Sequence, residues 1–332
     1  MPSPRGPLGD LAAESQHYLS LSIAASTRQT YSSGEKRFLD FLSLYRPASY
    51  HGFPVNEDTL ILYVTHLARS IKHSSIKSYL AAVRHFHIRE GYHLDLKSHL
   101  RLQLVCRGIK RAQGSSLRTR LPITIQHLRL FHCLLAIPHS SNPNYVMIWA
   151  AMTLAFFGFL RLGELTCNAR FSPESHMSPR DITFLPSPQA PQYMSVQIKI
   201  SKTDPFRTGQ TIFIGRTNQV LCPVQAMLRY LHIRGNSSGP LFKYSSGTPL
   251  TKQALTTETR SLLSLSGFNA ANYAGHSYRI GAATTAASVG LPPWLIKTLG
   301  RWSSDCYERY VRCPNALLFE VSEKLLQAIA ST

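Results

Sequence analysis

The residues best suited to chemistry lie in one stretch, 274–312, which reads AGHSYRIGAATTAASVGLPPWLIKTLGRWSSDCYERYVR. Gly275 opens it, and His276 and Arg279 follow, three positions apart. On a helix that spacing shares a face, so an imidazole and a guanidinium would project together from a first turn. The same turn carries unpaired N–H groups and the positive end of the helix dipole, which together suit a phosphate. An Ala-rich run (Ala282, Ala283, Ala286, Ala287) ends at Gly290, which fits a helix C-cap. Pro292 and Pro293 suit the first turn of a next helix, which Gly300 would close. Trp302, Tyr307 and Tyr310 come after it.

Two further cations precede this stretch. An apolar run, Tyr145 to Leu160, leads directly into Arg161, and Glu164 stands three residues later. The run is shorter than the ~20 residues a membrane span needs and meets charge at once, so it predicts a buried core helix and no membrane partner. Three short extended runs follow, at 181–185, 193–200 and 211–214; the middle one alternates Met194, Val196, Ile198 and Ile200 with polar residues. The polar segment SKTDPFRTGQ joins the last two as a hairpin turn and carries Lys202 near its start. Helical patterns resume at 223–233 and near 251–265, and a last apolar stripe, Leu317, Val321, Leu325 and Ile329, marks a helix over 316–330.

Composition says what such a set would act on. Lys and Arg number 36 against 17 Asp and Glu, a net charge of +19. A surplus of that size calls for a polyanionic partner, most often nucleic acid. The basic residues are spread over folded, aromatic-containing segments, unlike those of a basic tail or a single membrane-surface helix. The six cysteines show neither a C-x-x-C pair nor zinc spacing, which predicts reduced thiols in an intracellular protein. Residues 1–15 lack the apolar core of a secretion signal and, being rich in Pro and Gly, predict a flexible N-terminus.

Helical periodicity then fills the first third of the chain. A helix beginning near Ser26 and Thr27 puts Tyr31, Phe38, Phe41, Leu42 and Tyr45 on one face; a second fits 57–69, and a third follows Ser74 and Ser75. The third carries Lys77, Arg84 and Arg89 outward, and no acidic residue lies between Arg69 and Arg89, a pattern expected of a DNA-backbone contact. Residues 101–120 hold six basic side chains, Lys110, Arg111, Arg118 and Arg120 among them, with no acid and a Gly-Ser-Ser break. We read the boundary there: a helical domain over 16–112, a basic linker over 113–120 lying along phosphate, and a second domain over 121–332.

The order Arg161, Lys202, His276, Arg279, Trp302 and a tyrosine, on these element types, resembles the tyrosine recombinase, or phage integrase, family across roughly residues 20–315. FGFLRLGEL resembles the family's first arginine motif, SKTDPFRTG its lysine-bearing turn, HSYR its histidine and second arginine, and LGRW the position held by histidine or tryptophan. The wording GRWSSDCYERYVR is most similar to recombinases of eukaryotic mobile elements, of Crypton and Ngaro type, which implies a nuclear location. The resemblance implies a mainly α fold: an all-helical, SAM-like core-binding domain, then a mostly helical catalytic domain with a small antiparallel sheet. It implies double-stranded DNA as partner and four protomers assembled on paired sites. The stripe at 316–330 would dock on a neighbour or close its own core.

By that resemblance Tyr310 attacks a phosphodiester, leaving a 3′-phosphotyrosine bond and a free 5′-hydroxyl, without ATP, metal or other cofactor. Arg161 and Arg279 would hold the non-bridging oxygens, Trp302 would add a donor, and Lys202 would protonate the leaving oxygen. His276 would accept the tyrosine proton or donate to the phosphate, and Glu164 would orient the cluster. One departure stands out: the family separates its histidine or tryptophan from the nucleophile by nine positions, whereas Trp302 and Tyr310 are eight apart. Tyr307 therefore stays open, although the Y-x-R context favours Tyr310. Singly, each residue has an ordinary structural reading, so the weight lies on their joint order. Two alternatives remain: a DNA-binding relic of a mobile element without turnover, and a type IB topoisomerase-like enzyme.

Overall fold

The computed structural model describes residues 7–45, 52–114, 120–135, 142–168, 170–202, 204–305, 308 and 311. The chain forms two compact units, 1–117 and 118–332.

The first unit is all helical: α1 (Pro7–Leu21), α2 (Ala25–Tyr45), α3 (Glu57–Ala68), α4 (His73–Arg89) and α5 (Leu100–Gln113). Phe38 and Phe41 of α2 meet Leu60, Tyr63, Val64 and Leu67 of α3 and Ile76, Leu80, Val83 and Phe86 of α4 in one core. Fully burying each large side chain contributes ~1.5–3 kcal/mol. Asn56 caps α3 by accepting from the Thr59 N–H at 3.0 Å, while Glu57 and Asp58 face the positive end of its dipole. Helices α2 and α4 approach closely because Gly34 has no side chain; a Cβ there would lie 2.6 Å from that of Ala82.

One sequence expectation changes here. The N-terminus, expected to be loose to residue 15, is helical over Pro7–Leu21, and its described side chains are almost all exposed. The basic stretch 101–120 begins as helix α5, within the helical domain expected over 16–112, and only Gln113 of that helix falls in the expected linker. Leu102, Val105, Cys106 and Ile109 pack on the first core, and Arg101 pairs with Glu57 at 3.1 Å and Asp58 at 2.6 Å. An apolar stripe at helical spacing runs beneath the charges.

The second unit holds α6 (Ile125–Leu135), α7 (Pro143–Phe157), the single turn α8 (Leu162–Leu165), strands β1 (Ile182–Leu185), β2 (Tyr193–Ile198) and β3 (Gln210–Gly215), then α9 (Pro223–Arg234), α10 (Lys252–Leu265), α11 (Ser277–Ser288) and α12 (Pro293–Gly300). The sheet is antiparallel in the order β1-β2-β3, with Val196 opposite both Ile182 and Ile212. Met194, Val196 and Ile198 are the buried residues of β2, as the alternation predicts. Helix α7 is the expected core helix, buried from Val146 to Phe156. Among the described residues no helix is long and apolar enough to cross a membrane. Helix α11 crosses under the segment around Ile123, where a Cβ on Gly281 would fall 1.6 Å from the Ile123 carbonyl oxygen. The expected helix over 316–330 lies outside the described residues.

Candidate active site

Helix α7 ends at Phe157, and Phe159, with φ 51°, then turns the chain sharply and delivers Arg161 to the start of α8. Glu164, one turn on, reaches back: its Oε2 accepts from the Arg161 backbone N–H at 2.9 Å and its Oε1 from the Arg161 guanidinium at 2.8 Å. Ser201, at the start of the β2–β3 turn, bridges the pair, accepting from Arg161 at 2.9 Å and donating to Glu164 Oε1 at 3.1 Å. Arg301 completes the group by donating to Glu164 Oε2 at 2.9 Å. The carboxylate thus accepts from four donors and is saturated, which suits it to holding arginines and not to moving protons.

The Phe159 carbonyl, two residues past the end of α7, gathers two arginines. Phe159 O accepts from Arg279 Nη1 at 2.8 Å and from Arg301 Nη2 at 3.3 Å, and Gly158 O accepts from Arg301 Nη1 at 3.1 Å. Arg279 is fully buried, donates Nη2 to the Gly300 carbonyl, and lies under the Trp302 ring with its guanidinium carbon 4.3 Å from the centroid. Trp302 is itself 7 % exposed and belongs to the hydrophobic core. That ring is why position 300 is glycine, since a Cβ there would fall 1.6 Å from it. Gly300 is still helical, and the left-handed residue that closes α12 is Arg301, with φ 54°. Gly300 is thus the last residue of α12, as expected, and its lack of a side chain leaves room for the indole.

His276 and Arg279 diverge more than their spacing predicts. His276 caps α11 and is exposed, whereas Arg279 points into the core. Although His276 presents much of its surface to solvent, partial burial of its ring, followed by the positive charges of Lys252, Arg161, Arg279 and Lys202, holds its pKa below the ordinary value. Burial and these neighbouring positive charges favour the neutral imidazole, the form that can accept a proton. Lys202 is exposed on a turn closed by Asp204, which accepts from Gly209 N–H at 2.8 Å and Thr208 Oγ1 at 3.1 Å. A cavity of about 700 Å³ opens between this turn and α12, with Ser201, Arg301 and Trp302 on its wall, and another of about 610 Å³ lies against His276, Lys252 and Arg260. Among the described residues no three of His, Cys, Asp and Glu gather to hold a metal ion. Tyr307 and Tyr310 lie outside the described residues.

In the first unit Lys77 on α4 and Lys110 and Arg111 on α5 are exposed. Arg84 is exposed but donates to Leu94 O at 3.3 Å, and Arg89 forms a forked pair with Glu35 at 2.9 and 3.0 Å. In the second unit Arg120 donates to Ala271 O at 2.7 Å, and Arg118 lies outside the described residues.

Ser201 and Arg301 are the site residues that sequence reasoning missed. Ser201 carries no signal of its own. For Arg301 a signal existed: it stands nine positions before Tyr310, the separation implied by the family resemblance and not met by Trp302.

This fold, mainly helical with one three-stranded antiparallel sheet, is that of the tyrosine recombinases. The sequence is 25 % identical over 319 residues to an integrase/recombinase xerD homolog of Selenomonas ruminantium, covering 92 % of this chain and 86 % of that protein, which supports kinship with the recombinase and integrase family. The structure is similar to lambda integrase bound as a dimer to a core site (TM-score 0.59, 18 % identity, 91 % of this chain and 94 % of that one). It is also similar to XerH site-specific recombinase in a pre-cleavage complex with its difH substrate (TM-score 0.58, 14 % identity, 89 % and 78 %). The Tn1549 transposon integrase with transposon-end DNA gives a TM-score of 0.58 at 14 % identity, over 93 % and 95 % of the two chains. No protein-family model matches the sequence.

Proposed function

We propose that the protein is a site-specific DNA recombinase that cuts and rejoins double-stranded DNA through a 3′-phosphotyrosine intermediate. The observation that carries this reading is the convergence of Arg161, Lys202 and a neutral-biased His276 on the fold of enzymes solved with recombination-site DNA. Arg161, held by Glu164 and Ser201, presents a fork to the non-bridging oxygens of a scissile phosphate. The Tyr310 oxygen forms the new bond to phosphorus, His276 takes its proton, the P–O5′ bond breaks, and Lys202 gives a proton to the departing 5′-oxygen. Phosphoryl bond energy is conserved, so rejoining is the reverse of these steps. Arginine and lysine charges stabilise the charge of the transition state.

The partner is double-stranded DNA, engaged by exposed Lys77, Lys110 and Arg111, and the working assembly is a tetramer on paired sites, acting in the nucleus. The phrase GRWSSDCYERYVR supports an origin among eukaryotic mobile elements of Crypton or Ngaro type. One observation favours the relic instead: Arg279 is buried and spends both Nη groups on carbonyls, so it must leave Trp302 before it can touch a phosphate. Nicked suicide substrates built from the gene's flanking DNA decide between them. A covalent protein–DNA band in wild type, absent in Tyr310→Phe and kept in Tyr307→Phe, is the expected result. A native-gel shift without any covalent band would establish the relic, and relaxation of an arbitrary supercoiled plasmid the topoisomerase.

A further inference from the structure

Arg301 collects three local costs. Its backbone is left-handed, at φ 54°, a conformation that side-chain-bearing residues adopt rarely. Its side chain is a charge with 4 % exposure. Its Nε is buried with no hydrogen-bond partner among the described residues. Concentrated departures of this kind mark functional positions more often than packing ones. Its remaining contacts explain what such a residue can do here. The guanidinium reaches the carboxylate that fixes Arg161 and the two carbonyls, of Gly158 and Phe159, that follow α7. Around Glu164 stand Arg161 and Arg301, with Arg279 on the shared Phe159 carbonyl. Two arginines share the one carboxylate; without Arg301, Glu164 would face Arg161 alone.

We propose that Arg301 is a positioning residue of the active site, which takes up the charge of Glu164 so that Arg161 keeps both its orientation and its positive charge for the phosphate. The inference rests on the recombinase reading and goes beyond it, assigning the work near this position to Arg301 while Trp302 packs over Arg279. It acts through Glu164, and from that follows a sign that a purely structural role would not give: the defect caused by losing Arg301 is relieved by also removing the charge of Glu164.

The test is single-turnover cleavage of a nicked suicide substrate at saturating DNA, with the dissociation constant and the melting temperature measured alongside. Arg301→Met, which keeps the apolar stem, slows covalent-complex formation about a hundredfold, in the range of a lost charge-stabilising donor, with DNA affinity little changed. Adding Glu164→Gln to it restores about tenfold of the rate. Arg301→Lys, which keeps charge and stem and guards against a folding failure of the methionine variant, stays within about tenfold of wild type. A double variant no faster than Arg301→Met, or Arg301→Lys as slow as Arg301→Met, overturns the inference while leaving the recombinase reading standing. A wild type that gives no covalent complex removes the reading, and the inference with it.

Discussion

A buried polar group of the first unit, His87, and one of the second, Glu164, are handled in opposite ways. In the first, His87 is fully buried, accepts from the Val55 N–H at 3.0 Å, pairs its other nitrogen with Val83 O at 2.8 Å, and is ringed by Phe38, Phe53 and Phe86. Burial holds its pKa below the ordinary histidine value, so it stays neutral, satisfied and inert. In the second, Glu164 is gripped by two arginines, Arg161 and Arg301, so cationic partners outnumber the carboxylate. A neutral, paired centre adds a hydrogen-bonded tie to a core at little cost. A charged one with unequal partners is poor economy for stability and makes sense as a held electrostatic field.

Variants sharpen that contrast. The largest effect is expected for Glu164→Ala, which leaves Arg161 and the 4 %-exposed Arg301 without their shared counter-charge; unfolding in urea should show a loss of about 3–5 kcal/mol. Next comes Gly300→Ala, whose methyl would meet the Trp302 ring. It should lose about 1–3 kcal/mol by overpacking and change the tryptophan fluorescence as the ring leaves Arg279.

His87 should reveal itself through pH. Its folded-state pKa lies below the ordinary 6.5, so its contribution is complete above that value and is lost as pH falls through and below it, because the unfolded chain binds the proton first. Stability should therefore decline below about pH 6.5 by at most ~1.4 kcal/mol per pH unit from this group. His87→Gln, which can still accept from Val55, should flatten part of that slope; an unchanged slope would remove His87 from the comparison.

The smallest effects belong to the surface of the first unit. Arg89→Ala breaks a partly exposed pair with Glu35 and should cost at most about 1 kcal/mol, less in high salt. Lys77→Ala should leave stability unchanged and lower the salt slope of DNA binding by about 0.9, whereas Arg89, already paired, should change that slope less.

The sequence made the long elements legible because their periodicity is strong. The stripe through Phe38 and Phe41, the uninterrupted apolar run of α7, and the alternation of Met194, Val196 and Ile198 each predict the element found. Helix α5 was obscured because six basic residues over 101–120 outweighed the stripe of Leu102, Val105, Cys106 and Ile109. The orientation within the site was not legible. Side-chain spacing places His276 and Arg279 on one face, but which of them meets solvent depends on the Phe159 carbonyl and the Trp302 ring, contributed from elsewhere in the chain. Arg301 was hidden for a similar reason: its inward direction follows from a left-handed backbone that residue type does not announce.

The most direct test of the account is peptide mapping by mass spectrometry of protein incubated with a nicked suicide substrate and digested with protease and nuclease. The account predicts one nucleotide-linked peptide, modified at Tyr310 through a 3′-phosphate, together with a free 5′-hydroxyl on the released strand. A linkage at any other residue, a 5′-phosphotyrosine, or bound DNA with no linked peptide at all would contradict it.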